Sequence, residues 1–191
     1  MPGFLLGPIT GFVDRMKGKG MCSSSFLQQF GKGAALCAGG GNLASFVSQA
    51  GIGNGADTTE DTLFTGSLPP NSMDVVGREM SIQAWGNISA TSATKTARVY
   101  WGSTVLATIQ ATTTQTGVWI VNATIIKTGA NAQTACVAID TSISGSLVRT
   151  ASILSPNETD TAAIVMKVTG QVTAGGAGIV TCNGFVPAGY N

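Results

Sequence analysis

The sequence has no histidine, which removes the side chain most used for proton transfer near neutral pH. Ser-His and Cys-His nucleophile pairs are excluded with it. Charge is scarce as well: Lys, Arg, Asp and Glu make up 10% of the 191 residues, against roughly a quarter in an average soluble domain. The 10 basic and 9 acidic side chains nearly cancel, at +1, so no field favours nucleic acid or an anionic membrane surface. No apolar run reaches the roughly 18 residues that a spanning helix requires. Residues 1–15 place no basic side chain ahead of their apolar part and are interrupted by Gly and Pro, a poor secretory signal. Cys22, Cys37, Cys136 and Cys182 form no C-x-x-C pair, and without histidine a zinc site would need an all-sulfur set at unusual spacing. Free thiols are expected, with Cys136 and Cys182 buried on strands. A Cys22–Cys37 bridge is the oxidised alternative.

Motifs that could carry chemistry are thin. Lys95 and Lys127 stand among Ser and Thr, but no strained elbow accompanies either, so both are expected to be solvated lysines at strand ends. Asp57, Glu60 and Asp61 precede the first strand, and Glu158 and Asp160 follow a turn; solvated acids are expected at both places. Neither group has the facing pair of a glycosidase or the spacing of a calcium loop. Gly31-Lys32-Gly33 lacks the hydroxyl residue and the distant glycine of a nucleotide loop. The N-x-S/T triplets at Asn87, Asn122 and Asn157 arise readily in so hydroxyl-rich a chain. No catalytic residue, metal site or cofactor is expected, and the chain reads as a non-enzyme.

Two textures divide the chain. Residues 1–56 hold glycine runs such as Gly39-Gly40-Gly41, four basic residues and scattered apolar clusters. That is too apolar for a linker and too interrupted for a core. They read as an extended arm that becomes ordered on a partner through Phe4, Leu5, Leu6, Ile9, Phe12, Val13, Phe26, Leu27 and Phe30. Short helices are compatible with 23–30 and 42–49, with Asn42 capping the second.

Residues 57–191 read as one all-β domain. Short runs rich in Thr, Val, Ile and aromatics lie at 62–67, 78–87, 95–101, 104–109, 118–128, 133–140, 146–154, 162–171 and 178–186, separated by turn signals. So many antiparallel strands suit a two-sheet β-sandwich of the jelly-roll type. In 80–88, alternation puts Met80, Ile82, Ala84, Gly86 and Ile88 on one face. In the strand at 118–128, Trp119, Val121, Ala123 and Ile125 oppose Val118, Ile120 and Ile126, so both faces are apolar. Residues 102–126 contain no charged side chain. Surfaces buried between subunits lose charge in this way, so Val118, Ile120 and Ile126 are expected at a self-association contact. Tyr100 and Trp101 fall on opposite faces, one ring for the core and one for a contact.

Several stretches resemble a recurrent domain of tailed-bacteriophage virion proteins. They are Leu68-Pro69-Pro70-Asn71-Ser72, the run from Gly77-Arg78-Glu79-Met80 to Trp85-Gly86, Thr94-Lys95-Thr96-Ala97-Arg98-Val99-Tyr100-Trp101-Gly102, Gly117-Val118-Trp119, and Val165-Met166-Lys167-Val168-Thr169-Gly170-Gln171. The likeness is one of texture and spacing over about two thirds of the chain, and it carries no catalytic signature. It implies a virion structural protein assembled in the host cytoplasm: a capsid decoration (cement) protein, trimeric, bound to the major capsid protein. The alternative it allows is a head-, neck- or tail-fibre or adaptor component, bound to portal, neck or tail proteins and touching host glycans. No nucleic-acid or membrane partner is expected. A cell-wall hydrolase would need paired carboxylates that the sequence does not place.

Overall fold

The computed structural model describes residues 51–190. The arm residues from Phe4 to Phe30, Cys22, Cys37 and the helices considered at 23–30 and 42–49 lie outside the described residues. The described chain runs β1 (Ile52–Gly53), β2 (Asp61–Leu68), β3 (Glu79–Ile88), β4 (Lys95–Trp101), β5 (Thr104–Ala111), β6 (Gly117–Gly129), β7 (Ala132–Thr141), a short 3-10 turn (Ile143–Gly145), β8 (Val148–Leu154), β9 (Ile164–Val172) and β10 (Val180–Tyr190). All nine strands expected from residue 62 onward are present. β1 is an addition, and Ile52 and Gly53 pair with Cys182 and Thr181 in a stretch that the sequence division leaves in the arm.

The strands form two antiparallel sheets, β1-β10-β3-β6-β7-β8 and β2-β9-β4-β5. Without β7 and β8, the first strand pairs the last, β2 pairs β9, β3 pairs β6 and β4 pairs β5. That nesting, folded over into two facing sheets, is the jelly roll. β7 and β8 extend one sheet beyond β6, so a six-stranded layer faces a four-stranded one. β8 therefore overhangs, and six of its seven residues are exposed.

The core is what alternation predicts. Met80, Ile82, Ala84 and Ile88 from β3 and Trp119, Val121, Ala123 and Ile125 from β6 are buried against Ala97, Val99 and Trp101 from β4 and Met166 and Val168 from β9. Phe64 stacks on Phe185 with ring centroids 4.6 Å apart. At the β1 edge, the buried Asn54 side chain donates to the carbonyls of Gly55 and Gly176, both at 2.8 Å, and accepts from the amides of Ile179 and Val180. It ties the start of the domain to the turn before β10.

Candidate functional site

Pairing registers fix which side chains meet on the outer face of the six-stranded sheet. Trp85, Ile120, Asp140 and Arg149 form one row across β3, β6, β7 and β8; Gln83, Asn122, Ala138 and Ala151 form the next; Ser81, Thr124, Cys136 and Ile153 form a third. Gln83 Nε2 donates to Asn122 Oδ1 at 3.0 Å in the centre. A shallow, open depression of about 480 Å³ lies there, lined by Ser81, Gln83, Asn122, Thr124, Cys136 and Val186 among others. The Trp85 indole lies over Gly184, where a Cβ would come within 2.1 Å of the ring. β10 bulges between Cys182 and Gly184 at this point.

Charge on this face stays at its margins. Arg149 Nε and Nη2 donate to the two Asp140 oxygens at 2.5 and 3.1 Å, and those bonds hold the Asp140 carboxyl below its ordinary pKa. Val118, Ile120 and Ile126, the side chains expected at a self-association contact, are 47%, 37% and 39% exposed here. The structure thus brings the three together on one open, weakly charged face. Two strands away on the same face is a feature the sequence does not mark as surface: Leu147 and Ile153, both exposed, with Val148 exposed on the opposite face of β8.

The outer face of the four-stranded sheet is the opposite in character. Glu60 accepts from Arg98 Nη1 and the Tyr100 hydroxyl, each at 2.7 Å, and from the Thr169 hydroxyl. The Lys167 ammonium sits 4.5 Å from the Tyr100 ring centre. Burial works to raise the Glu60 pKa, but the two hydroxyl donors and the Arg98 charge outweigh it and hold the carboxyl below its ordinary value. A depressed carboxylate adds stability above its unfolded pKa and loses it as pH falls through the folded value. Stability should therefore decline below about pH 4.5, the ordinary Glu value, and Glu60→Gln should flatten that decline in urea titrations run across the acid range.

Three sequence expectations are corrected. Lys95 and Lys127 are not solvated; they are 0% and 2% exposed. Lys95 opens β4 and Lys127 lies two residues before the end of β6, and loops fold over both. Lys95 donates to the carbonyls of Thr113 and Gln115, and burial lowers its pKa. Lys127 pairs with Asp160. Neither ammonium donates to a hydroxyl nucleophile. Among the acids, Asp57 is exposed as expected, but Asp61 accepts from the Gly55 amide at 2.8 Å and the half-buried Glu158 accepts from the Ser103 amide and hydroxyl at 2.7 and 2.8 Å. The Glu158 carboxylate occupies the space a Cβ on Gly102 would need. Cys136 is exposed, because its outward parity in β7 sets it opposite the buried Ala135 and Val137; Cys182 is buried as expected, with its thiol pKa pushed up to about 11. Trp101 is wholly buried, while the half-buried Tyr100 ring is already engaged by Glu60 and Lys167.

No family model and no curated protein matches the chain. Among solved structures, the CBM2 module of the evolved Dit of Lactobacillus casei BL23 phage J-1 aligns over 65% of this chain and 67% of its own, at 10% identity and a TM-score of 0.30. At that level the likeness carries no inference about function.

Proposed function

We propose that this protein is a non-enzymatic structural component of a bacteriophage virion, a capsid decoration protein that assembles with copies of itself and reinforces the head shell. The observation that carries the self-association is the outer face of the six-stranded sheet, where Val118, Ile120 and Ile126 stand exposed along β6 and, among the described residues, the only charges beside them are Glu79, opposite Ile126, and Asp140, which is paired with Arg149. Burying such area contributes about 25 cal/mol per Å². The virion assignment rests on the sequence resemblance, and the jelly-roll fold is compatible with it. The arm, residues 1–50, would bind the major capsid protein.

The test of the face is sedimentation of a Val118→Glu/Ile120→Glu variant. The threefold assembly of the parent chain should be lost, leaving nothing larger than a pair of chains at micromolar concentration. Ile120→Glu sets a second carboxylate opposite that of Asp140 and costs some stability, so urea unfolding must show that the variant is still folded at the concentration used for sedimentation. A parent chain that sediments alone refutes self-association. Deleting residues 1–50 should leave a folded oligomer that no longer binds capsids.

A fibre or adaptor role is the second reading. A neutral hollow holding the Gln83 and Asn122 amides, with Trp85 in the adjoining row of the same face, suits an uncharged sugar ring. A glycan array would favour it by showing saturable binding that Gln83→Ala abolishes.

A further inference from the structure

Sheet edges expose unpaired N–H and C=O groups, and folded chains blunt them with short strands, bulges, charge or proline. Three of the four edges here are blunted. β1 has two residues; β2 begins at Asp61 and is bulged between Thr62 and Phe64; β5 is paired through a bulge between Val99 and Tyr100. The fourth edge, β8, has none of these. It pairs β7 without a register shift over seven residues, contains no Pro or Lys, and its one charge, Arg149, is already neutralised by Asp140. The two most exposed large apolar side chains of the described residues are Leu147, at 81%, immediately before it, and Ile153, at 76%, within it.

We infer that β8 pairs edge to edge with β8 of a second copy, antiparallel about a twofold axis at Thr150. The register follows from the side chains. With Thr150 opposite itself, Leu147 faces Ile153 of the second copy, and the symmetry repeats this contact. Alternation puts both on the outer face. Arg149 then faces Ala151, so no like charges oppose each other. Val148 faces Ser152 on the inner side, which the four-stranded layer leaves uncovered. A second copy fits better than a foreign strand because the contact is self-complementary and closes: one such edge per chain makes a pair and no filament. The outcome is a continuous twelve-stranded sheet, twice the six of one copy. This contact is separate from the Val118 and Ile120 face and rests on the same reading that copies assemble.

Cysteine cross-linking tests it in the full chain with Cys22, Cys37 and Cys136 replaced by Ser. Residues opposite each other in an antiparallel pair have Cα atoms roughly 4.5–5.5 Å apart, within reach of a disulfide. Thr150→Cys should form a covalent dimer under mild oxidation, and adding Ile153→Lys should reduce its yield at least tenfold. Ala151→Cys, which faces Arg149 in this register, should stay uncross-linked. Cross-linking at Ala151→Cys instead, or at neither position, overturns the inference. Sedimentation of the Val118→Glu/Ile120→Glu chain reads the other contact, so either can fail alone.

Discussion

Asp160→Ala is expected to lower folding stability by about 3–5 kcal/mol, the range for breaking a buried ion pair from one side. The reason is the burial of its partner. The Lys127 side chain is 2% exposed and that of Asp160 14%, so removing the carboxylate leaves a buried cation without its counter-charge. Asp160 also closes one end of the sandwich, since its backbone carbonyl accepts from the Asn71 amide at 2.6 Å. Nearby, Gln133 is bonded to the backbone of Glu158 in both directions, at 2.8 and 2.9 Å. The loop should therefore keep its path in the variant, and the loss should report the stranded charge. Adding Lys127→Met removes that charge at similar volume and should recover most of the stability. Urea denaturation of the two single variants and the double variant measures it; equal losses in Asp160→Ala with and without Lys127→Met would show that the pair's charge is not the cause.

Gly86→Ala should cost about 3 kcal/mol, the upper end for overpacking in a core. A Cβ at Gly86 would lie 1.8 Å from the Thr181 carbonyl oxygen and 2.5 Å from the Trp119 ring. One obstacle is backbone of the neighbouring β10, and the other is a ring wholly buried between the sheets, so neither can yield cheaply. Trp119→Phe would relieve only the second contact. The double variant should be less destabilised than the sum of the singles, the sign of direct contact in a mutant cycle. Thermal or chemical unfolding of the set provides the numbers, and simple additivity would contradict the geometry.

The strands were legible because their two-residue period is strong wherever one face is buried. The same period also places the lysines. Lys127 shares parity with Trp119, Val121, Ala123 and Ile125, and Lys95 with Ala97, Val99 and Trp101, so both belong to the inward set. A long aliphatic stem lets such a lysine fill apolar space while its ammonium finds carbonyls or a carboxylate. Cys136 is the mirror case: its parity is outward, although cysteine is commonly buried. Two features had no local signal. The β1 strand is two residues long inside a glycine-rich stretch, and its existence depends on Asn54 reaching residues more than 120 positions later. The partners of Glu158 and Asp160 likewise come from β6, β7 and the β4–β5 turn, far away in the chain.

The position of β10 sets the order in which this molecule can be made. It is the last of the described strands to leave the ribosome, yet it lies inside its sheet, between β1 and β3, and supplies Val180, Cys182 and Phe185 to the interior. Until it emerges, β3 has one unpaired side and the hydrophobic layer stays open to water. Synthesis at about 5–20 residues per second thus leaves earlier hairpins waiting for seconds, and closure, dominated by distant pairings, falls in the slow millisecond-to-second class. Chain termination ahead of β10 should yield an insoluble product rather than a soluble shorter domain.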